Sequence, residues 1–503
     1  MSGMTEKNKY DVIIIGSGMG GLSAASLLAN SGFRVMILEA AYAPGGCSSS
    51  FKRKGYIFES GATTLIGFDE HQPMRYLQNS LGITIPKTAL DIPMAVYLNG
   101  KKIIKKQNID EWISESIRHF GEPEAQKKFW KKAKSVSDTV WKVSGKNHFF
   151  PPSQVTDWVK LLKNNPADAW VLPYALRSVK KVAVNCGISN QEFFRFLDEQ
   201  LIISAQSNAD DTPFLFGAPA LTYTNYTNYS VPGGLIEMVN SLISFVESNN
   251  GTFQNREKVT SVTKTGEVYT VKTVKGKTYQ APVIVSNIPI WNMGEITEGQ
   301  MKNYFSAEAQ KYDNAWGAVT LGVVTDDCYP SDLPLHHQIH LNDEDKTEDL
   351  DSDSIFVSLS HPDDKKRAPE NERILNISTH TNPEKWFKLN GEYDQVKKRV
   401  EEQILTVLKK RWPYFENAEI KLSFSGTPIT WSNWVYRKKG RVGGIPQSMS
   451  RSILDWTPNK TPFKGLYLAG DTVYPGQGIP GVTLSGINVY HRIKQNHKKI
   501  LNH

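Results

Sequence analysis

The chain has 503 residues, with 59 Lys+Arg against 51 Asp+Glu, a net charge of +8 and only three cysteines. Such a length holds more than one domain and a large core. The widely spaced, odd-numbered Cys47, Cys186 and Cys328 exclude a disulfide framework and, with no C-x-x-C pair, a thiolate metal site. The lysines are scattered and no nucleic-acid module is legible, so the basic balance reads first as a solvated surface and second as affinity for anionic lipid.

The N-terminal stretch "MSGMTEKNKYDVIIIG" lacks the layout of a signal peptide, which predicts a cytoplasmic, reducing location. No apolar run reaches the roughly 18 residues of a membrane-spanning helix. "YDVIII" (10–15) reads as a buried parallel strand. Gly16, Gly18 and Gly21 then form G-x-G-x-x-G, with Gly20 inside the same loop. The first glycine permits a tight turn, the second lets backbone approach a pyrophosphate, and the third lets helix and strand pack closely. A helix is predicted from about Met19 to Asn30, with Leu22, Ala25, Ser26 and Ala29 on its buried face and Gly32 as its stop. A second strand, "RVMILEA", ends at Glu39, an acid placed to accept hydrogen bonds from both hydroxyls of a ribose. Strand, loop, helix, strand and acid together predict a dinucleotide site without choosing between NAD and FAD.

Two further stretches favour FAD. "APGGCSSSFKRKGYIFESGA" (43–62) brings a second glycine pair, Gly45 and Gly46, soon after Glu39. "FKGLYLAGDTVYPGQGIPGVTLSG" (463–486) reads as a short buried strand with Gly470 and Asp471 at its end, where open α/β sheets bind ligands, followed by a loop that opens the last helix near Gly481.

In between, "PMAVYLNGKKIIK" (93–105) predicts a hairpin turning at Asn99-Gly100. Residues 107 to 225 read as helical, with Pro123 at a first helical position and Phe129, Trp130, Ala133, Val136, Val140 and Trp141 at helical spacing. Residues 149–184 mix Phe149, Phe150, Trp158, Leu161, Leu162, Trp170, Val171 and Leu172 with Lys160, Lys163, Arg177, Lys180 and Lys181. That mixture suits either an interfacial membrane helix or a core-facing helix with a solvated back. From 301 to 460, "WGAVTLGVVT", "SIFVSLSH", "RILNISTH" and "EIKLSF" read as strands around a helix from about Glu392 to Lys410. The acidic stretch 342–354 reads as an exposed loop, and His336, His337 and His340, clustered near Asp332, are open to a metal or to a loop of surface histidines.

These pieces, in this order, resemble the flavin-dependent carotenoid desaturases of the phytoene desaturase type, within the amine-oxidase-like flavoprotein superfamily. The matching stretches are "DVIIIGSGMGGLSAA", "LEAAYAPGGCSSS", "GYIFESGA", "VPGGLIEMVNSL", "REKVTSV", "VIVSNIP" and "LYLAGDTVYPGQGIPGVTLSG". "YRKKGRVGGIPQS" (436–448) resembles the 1′-hydroxycarotenoid 3,4-desaturases. The resemblance implies an α/β fold of three parts. They are a discontinuous Rossmann-like FAD-binding domain (1–92, 231–300, 461–503), a mixed-sheet substrate domain (93–106, 301–460) and a helical, membrane-associating subdomain (107–230).

It also implies non-covalent FAD and no metal, which leaves the histidines of 336–340 as a surface loop. Gly16, Gly18, Gly20 and Gly21 would hold the pyrophosphate, Glu39 the ribose, and Gly45 and Gly46 the phosphates and flavin. Val259 would contact adenine, and Gly470 and Asp471 the ribityl chain or pyrophosphate. Gly478, Ile479, Pro480, Gly481 and Val482 would meet the flavin's pyrimidine edge. The implied substrate is a carotenoid collected from the inner face of the cell membrane, with a quinone or oxygen as electron acceptor and no nucleic acid as partner. The catalytic base is not legible; Glu59 and Arg441 are the candidates for proton or end-group roles. Cys47 stands where many relatives have arginine; a polyene isomerase branch and retinol saturases share "PGGC", which keeps those reactions open. An amine oxidase, for which Trp431 and Trp434 could form an aromatic cage, and a non-enzymatic prenyl-binding escort protein are the remaining alternatives.

Overall fold

The structure, a computed structural model, describes residues 8–152, 155–164, 166–312, 314–452 and 454–497. A five-stranded parallel sheet runs in the order Leu466–Leu468, Val283–Ser286, Val12–Ile15, Val35–Leu38, Thr252–Gln254. Its three inner strands are short apolar runs buried along their whole length, as a sheet covered on both faces requires. Strands from the two ends of the chain thus sit two positions apart in one sheet, with only Val283–Ser286 between them.

The first helix spans Met19–Asn30 and is followed by Gly32 at φ 88°. Every residue from Met19 to Ala29 is buried, not one face only. The reason is that the last helix, Ile479–Asn496, also packs on it, through glycines: a Cβ on Gly486 would lie 2.3 Å from the Gly20 carbonyl oxygen. Side-chain periodicity shows which residues are apolar, but not how many neighbours come to cover them.

A seven-stranded mixed sheet faces the first, in the order Ile420–Gly426, Gly317–Asp326, Glu372–Thr381, Ser354–Leu359, His336–His340, Met94–Leu98, Lys101–Lys105. Its last two strands form the hairpin turning at Asn99 and Gly100, both at positive φ. One face, with Leu321, Val323, Leu375, Ile377 and Val357, packs against Val400 and Ile404 of the helix Tyr393–Arg411. The other face mixes Thr320, Asn376, Ser378, His336 and Ser358 with apolar Val324, Ile374, Phe356 and Phe424, and many of these line a cavity shared with the parallel sheet.

Two expectations are overturned. His336, His337 and His340 are not in a surface loop but on a central strand, all buried, where neighbouring strands satisfy the backbone. The acidic stretch is not simply exposed: the Asp345 side chain is buried and accepts from Arg411 Nε at 2.8 Å, while Asp349 accepts from Arg399. The basic last turn of the helix Tyr393–Arg411 holds Asp345, while Arg399 nearer its start holds Asp349.

Helices Ile109–Phe120, Pro123–Ser144, Gln191–Ala205 and Phe214–Thr222 build a third core around Trp112, Phe129, Trp130 and Phe193. Between them, Val155–Asn164 and the turns Pro166–Leu176 leave apolar side chains in solvent: Val155 is 78% exposed and Leu176 77%, with Trp158, Val159, Trp170 and Leu172 also open. Val171 faces inward, and the Leu162 side chain lies outside the described residues. Among the described residues no helix is long and apolar enough to cross a membrane.

Candidate flavin and substrate site

A cavity of about 750 Å³ lies between the two sheets and under the helices. Its lining includes Gly16, Gly18, Gly20, Glu39, Gly45, Gly46, Val259, Gly470, Asp471 and Gly478 through Val482. Gly21 lies one turn behind, where a Cβ would come 2.5 Å from the Gly16 carbonyl oxygen. The two glycine-rich loops are neighbours: a Cβ on Gly20 would lie 2.8 Å from the Gly470 backbone nitrogen. Phosphates can approach only where such side chains are missing, and the helix N-terminus at Met19 supplies unpaired N–H groups and a positive dipole end.

Asn287, in the turn after Val283–Ser286, completes this corner. Its Oδ1 accepts from the Gly21 N–H at 2.9 Å. Its quoted motif marks the turn, but only the contact shows the side chain's job.

Glu39 is held by three donors: the Ser17 N–H (2.8 Å), the Ser17 hydroxyl (2.6 Å) and the Ala41 N–H (2.8 Å). A carboxylate offers about four acceptor sites. About one remains open to the cavity in this arrangement. At the far end, the last helix begins at Ile479 after Gly478 at φ 82°, two residues before the expected start. Pro480 has no N–H, and the Val482 N–H donates to the Gly478 carbonyl at 2.9 Å. Ile479 and Gly481 are left as the donors that can face a ring edge.

The opposite wall is the cavity-lining face of the mixed sheet. Cross-strand register sets Thr320 beside Ser378, Gly322 beside Asn376, and His336 beside Ser358. His336 Nε2 meets the Thr64 hydroxyl at 3.0 Å and its Nδ1 the Ser358 hydroxyl at 2.9 Å; the latter also meets Thr63 at 2.8 Å. Burial lowers the His336 pKa to about 4, and that of the cavity-lining His380 likewise to about 4. Both are neutral at pH 7. Around these polar groups stand Phe58, Trp141, Phe216, Phe356, Phe424 and Trp431.

Glu59 lines the cavity but is spoken for: it accepts from Ser50 Oγ at 2.6 Å and from the Leu235 N–H, and pairs with Arg367 at 3.3 Å. Burial raises its pKa against the pull of Arg367. Arg441 does not line the cavity; it is buried against Glu384 (3.1 Å) and lies 5.1 Å from the centre of the Trp291 ring. The arginine that does line it is Arg437, whose Nη2 donates to Asp471 Oδ2 at 2.8 Å. Arg437 also sits beside Cys47, whose pKa burial raises against the arginine's field. A guanidinium thus reaches the neighbourhood of the glycine pair from a segment nearly 400 residues away. Of the two tryptophans of an amine cage, Trp431 lines the cavity, while Trp434 is 63% exposed and packs edge-on against Tyr42.

Two adjoining glycine-rich loops at a parallel sheet, roofed by a separate mixed sheet, are the arrangement of a flavin-dependent oxidoreductase. One family model, described as a NAD(P)-binding Rossmann-like domain, matches residues 14–81, and another, described as flavin containing amine oxidoreductase, matches residues 183–493. The chain belongs to the flavin containing amine oxidoreductase family, and FAD is its cofactor. It is similar to the chloroplastic prolycopene isomerase of Daucus carota, 27% identical over 98% of this chain and 81% of that protein. It is also similar to the 4,4'-diapophytoene desaturase of a Methylomonas species, 23% identical over 98% of this chain and 96% of that one. Among solved structures, an oxidoreductase from Methanosarcina mazei superposes with a TM-score of 0.63 at 15% identity, covering 96% of this chain and all of that one. The last likeness carries fold alone.

Proposed function

We propose that this chain is a carotenoid desaturase, introducing a 3,4 C–C double bond into a 1′-hydroxylated carotenoid such as a hydroxy-γ-carotene. The observation that carries the reading is the cavity wall facing the cofactor loops: aromatic and aliphatic side chains and neutral polar groups, with the carboxylates of the lining near it held in ion pairs. An apolar polyene fits such a wall, and a cationic amine does not, because Glu59 and Asp471 are already paired to arginines.

Gly16–Gly21, Glu39 and Ile479–Val482 would hold FAD, which would supply the two-electron oxidant for removing one C–H hydrogen as a hydride equivalent and its neighbour as a proton. The chain's share is positional. The mixed sheet presses the polyene toward the cofactor, and the aromatic wall excludes water. Neutral His336, with both ring nitrogens engaged by hydroxyls, stands in this wall as a weak proton relay. Glu59 keeps the strand Tyr56–Glu59 joined to Leu235 and Arg367 rather than meeting substrate. A quinone or oxygen would be the electron acceptor.

The substrate reaches the cavity from lipid at the inner face of the cell membrane. Trp141 and Ser144, which line the cavity, end the helix that leads into the exposed apolar segment 155–176. Tyr474, also in the lining, packs 4.7 Å from Phe150 of that connection.

The test is product analysis in cells supplied with carotenoids with and without a 1′-hydroxyl. A red-shifted product with two fewer hydrogens supports desaturation. An isomer of unchanged mass supports the second reading, a polyene isomerase, which the Daucus carota relative favours. No change with any carotenoid overturns both.

A further inference from the structure

One end of the cavity carries an unmet demand for hydrogen-bond donors. Gln206 and Gln447 are 4% and 6% exposed, both line the cavity, and the Oε1 of each has no hydrogen-bond partner. The amide of Gln206 is oriented by its other half, since Nε2 donates to the Ile202 carbonyl at 3.3 Å and lies 3.2 Å from His380 Nε2. The Gln447 Nε2 donates to the Pro475 carbonyl at 3.5 Å. The two residues are tied by the backbone, the Gln447 N–H donating to the Ala205 carbonyl at 2.9 Å.

The local backbone is shaped around these amides. Gln206 caps the helix Gln191–Ala205 in a left-handed conformation, φ 58°, which a side chain with a branch-free Cβ tolerates only where surroundings hold it. Facing it is Gly443 at φ 73°; a Cβ there would lie 2.4 Å from Gln206 Nε2 and 2.6 Å from Gln477 Oε1. Helix end, loop 443–447 and loop 475–478 thus converge on one small polar end of an otherwise apolar chamber.

Buried acceptors without donors are rare and costly, and in a cavity they mark where a ligand donates. The groups converging here are amides and the imidazole of His380; the neighbouring carboxylate, Asp471 beside Gly444, is paired to Arg437, so the donor they suit is neutral. We infer that Gln206 and Gln447, with His380 behind them, form the recognition site for a hydroxyl group at the terminus of the polyene, and set the preference for hydroxylated over unsubstituted substrates. Gln206 and Gln447 are specificity residues; His380 is a positioning residue acting through Gln206. The inference rests on the polyene reading for the rest of the ligand.

The experiment is an absorbance titration of FAD-loaded wild type, Gln206→Met and Gln447→Met with one polyene in hydroxylated and unsubstituted forms. FAD content and melting temperature are measured alongside. Wild type is expected to bind the hydroxylated form roughly 5- to 100-fold more tightly, and each variant to bring that ratio toward one. Equal affinity of wild type for both forms, or variants that weaken both alike with the ratio intact, would overturn the site. A wild type that prefers the hydroxylated form yet desaturates nothing overturns the reaction and leaves the site. One that desaturates carotenoids without preference overturns the site alone. Binding of neither form overturns both.

Discussion

Replacing Gly20 with alanine sets two opposed effects against each other. Gly20 lies in the first helix, not at a positive φ, so by helix propensity alone alanine would stabilise by about 1 kcal/mol. Against this, the added methyl would lie 2.8 Å from the Gly470 nitrogen and 3.1 Å from its Cα, and 2.7 Å from Asn287 Oδ1. Asn287 can rotate away; the Gly470 backbone cannot move without shifting the strand Leu466–Leu468 and the loop that follows. Overpacking of this kind costs about 1–3 kcal/mol, so the clash is expected to win. The strain falls on the junction of the two cofactor loops, so the sharper consequence is weaker FAD binding, by about 10- to 100-fold if some 1.4–2.7 kcal/mol is lost there. Flavin fluorescence quenching gives the Kd, and melting with and without excess FAD gives the stability. In wild type an excess of 100 times Kd adds about 2.7 kcal/mol, of which the variant should lose about 1.3 to 2.3 kcal/mol at the same FAD concentration. An alanine variant that melts higher than wild type and binds FAD equally well would show that the two loops do not meet as described.

Asn287→Ala removes the acceptor of the Gly21 N–H and should weaken FAD about 3- to 10-fold. Asn287→Asp should weaken it further while leaving the cofactor-free protein as stable as before, because a carboxylate suits a helix N-terminus but repels a pyrophosphate; wild-type affinity in the aspartate variant would place Asn287 away from the phosphates. Lys105 is fully buried, its Nζ 3.8 Å from the centre of the Trp112 ring, and burial lowers its pKa from 10.5 to about 7. The folded state therefore binds fewer protons than the unfolded one between those values, so this group's penalty eases as pH rises from 7 to 10.5. Lys105→Met should stabilise the protein by a few kcal/mol at pH 7, of order 2–4, and flatten that slope, as read by denaturant unfolding at pH 7 and 9.5; a destabilised variant would refute it. Trp158→Ser with Leu176→Ser should cut co-sedimentation with anionic liposomes several-fold without changing FAD content, and unchanged sedimentation would remove the segment 155–176 from the membrane contact.

The glycines and the acid proposed for the cofactor stood out in the sequence because each obeys a local rule. Glycines are needed where backbone meets phosphate, and an acid where the second strand ends. Arg441 and Arg437 show the limit. They lie four residues apart in one basic loop, and local chemistry gives no reason to choose between them. The fold turns Arg441 toward Glu384 and Trp291 and Arg437 toward Asp471 and the cavity. The histidines of 336–340 mislead for a related reason. Alternation within a polar-looking strand hides that both its faces are covered, one by the loop carrying Thr64 and the other by Trp412. Gln206 and Gln447 carry no motif at all and matter only because three distant segments bring their amides to one end of the cavity.

What the sequence determined on its own is the dinucleotide cradle and the alternation of strands and helices around it, since spacing, small side chains and apolar runs are properties of neighbours along the chain. What only the tertiary structure decided is which charges stay paired, which polar groups line the cavity and which apolar side chains remain in solvent. Burial and partnership are set by contacts between segments hundreds of residues apart, and a linear pattern does not encode which side chain the rest of the fold will cover.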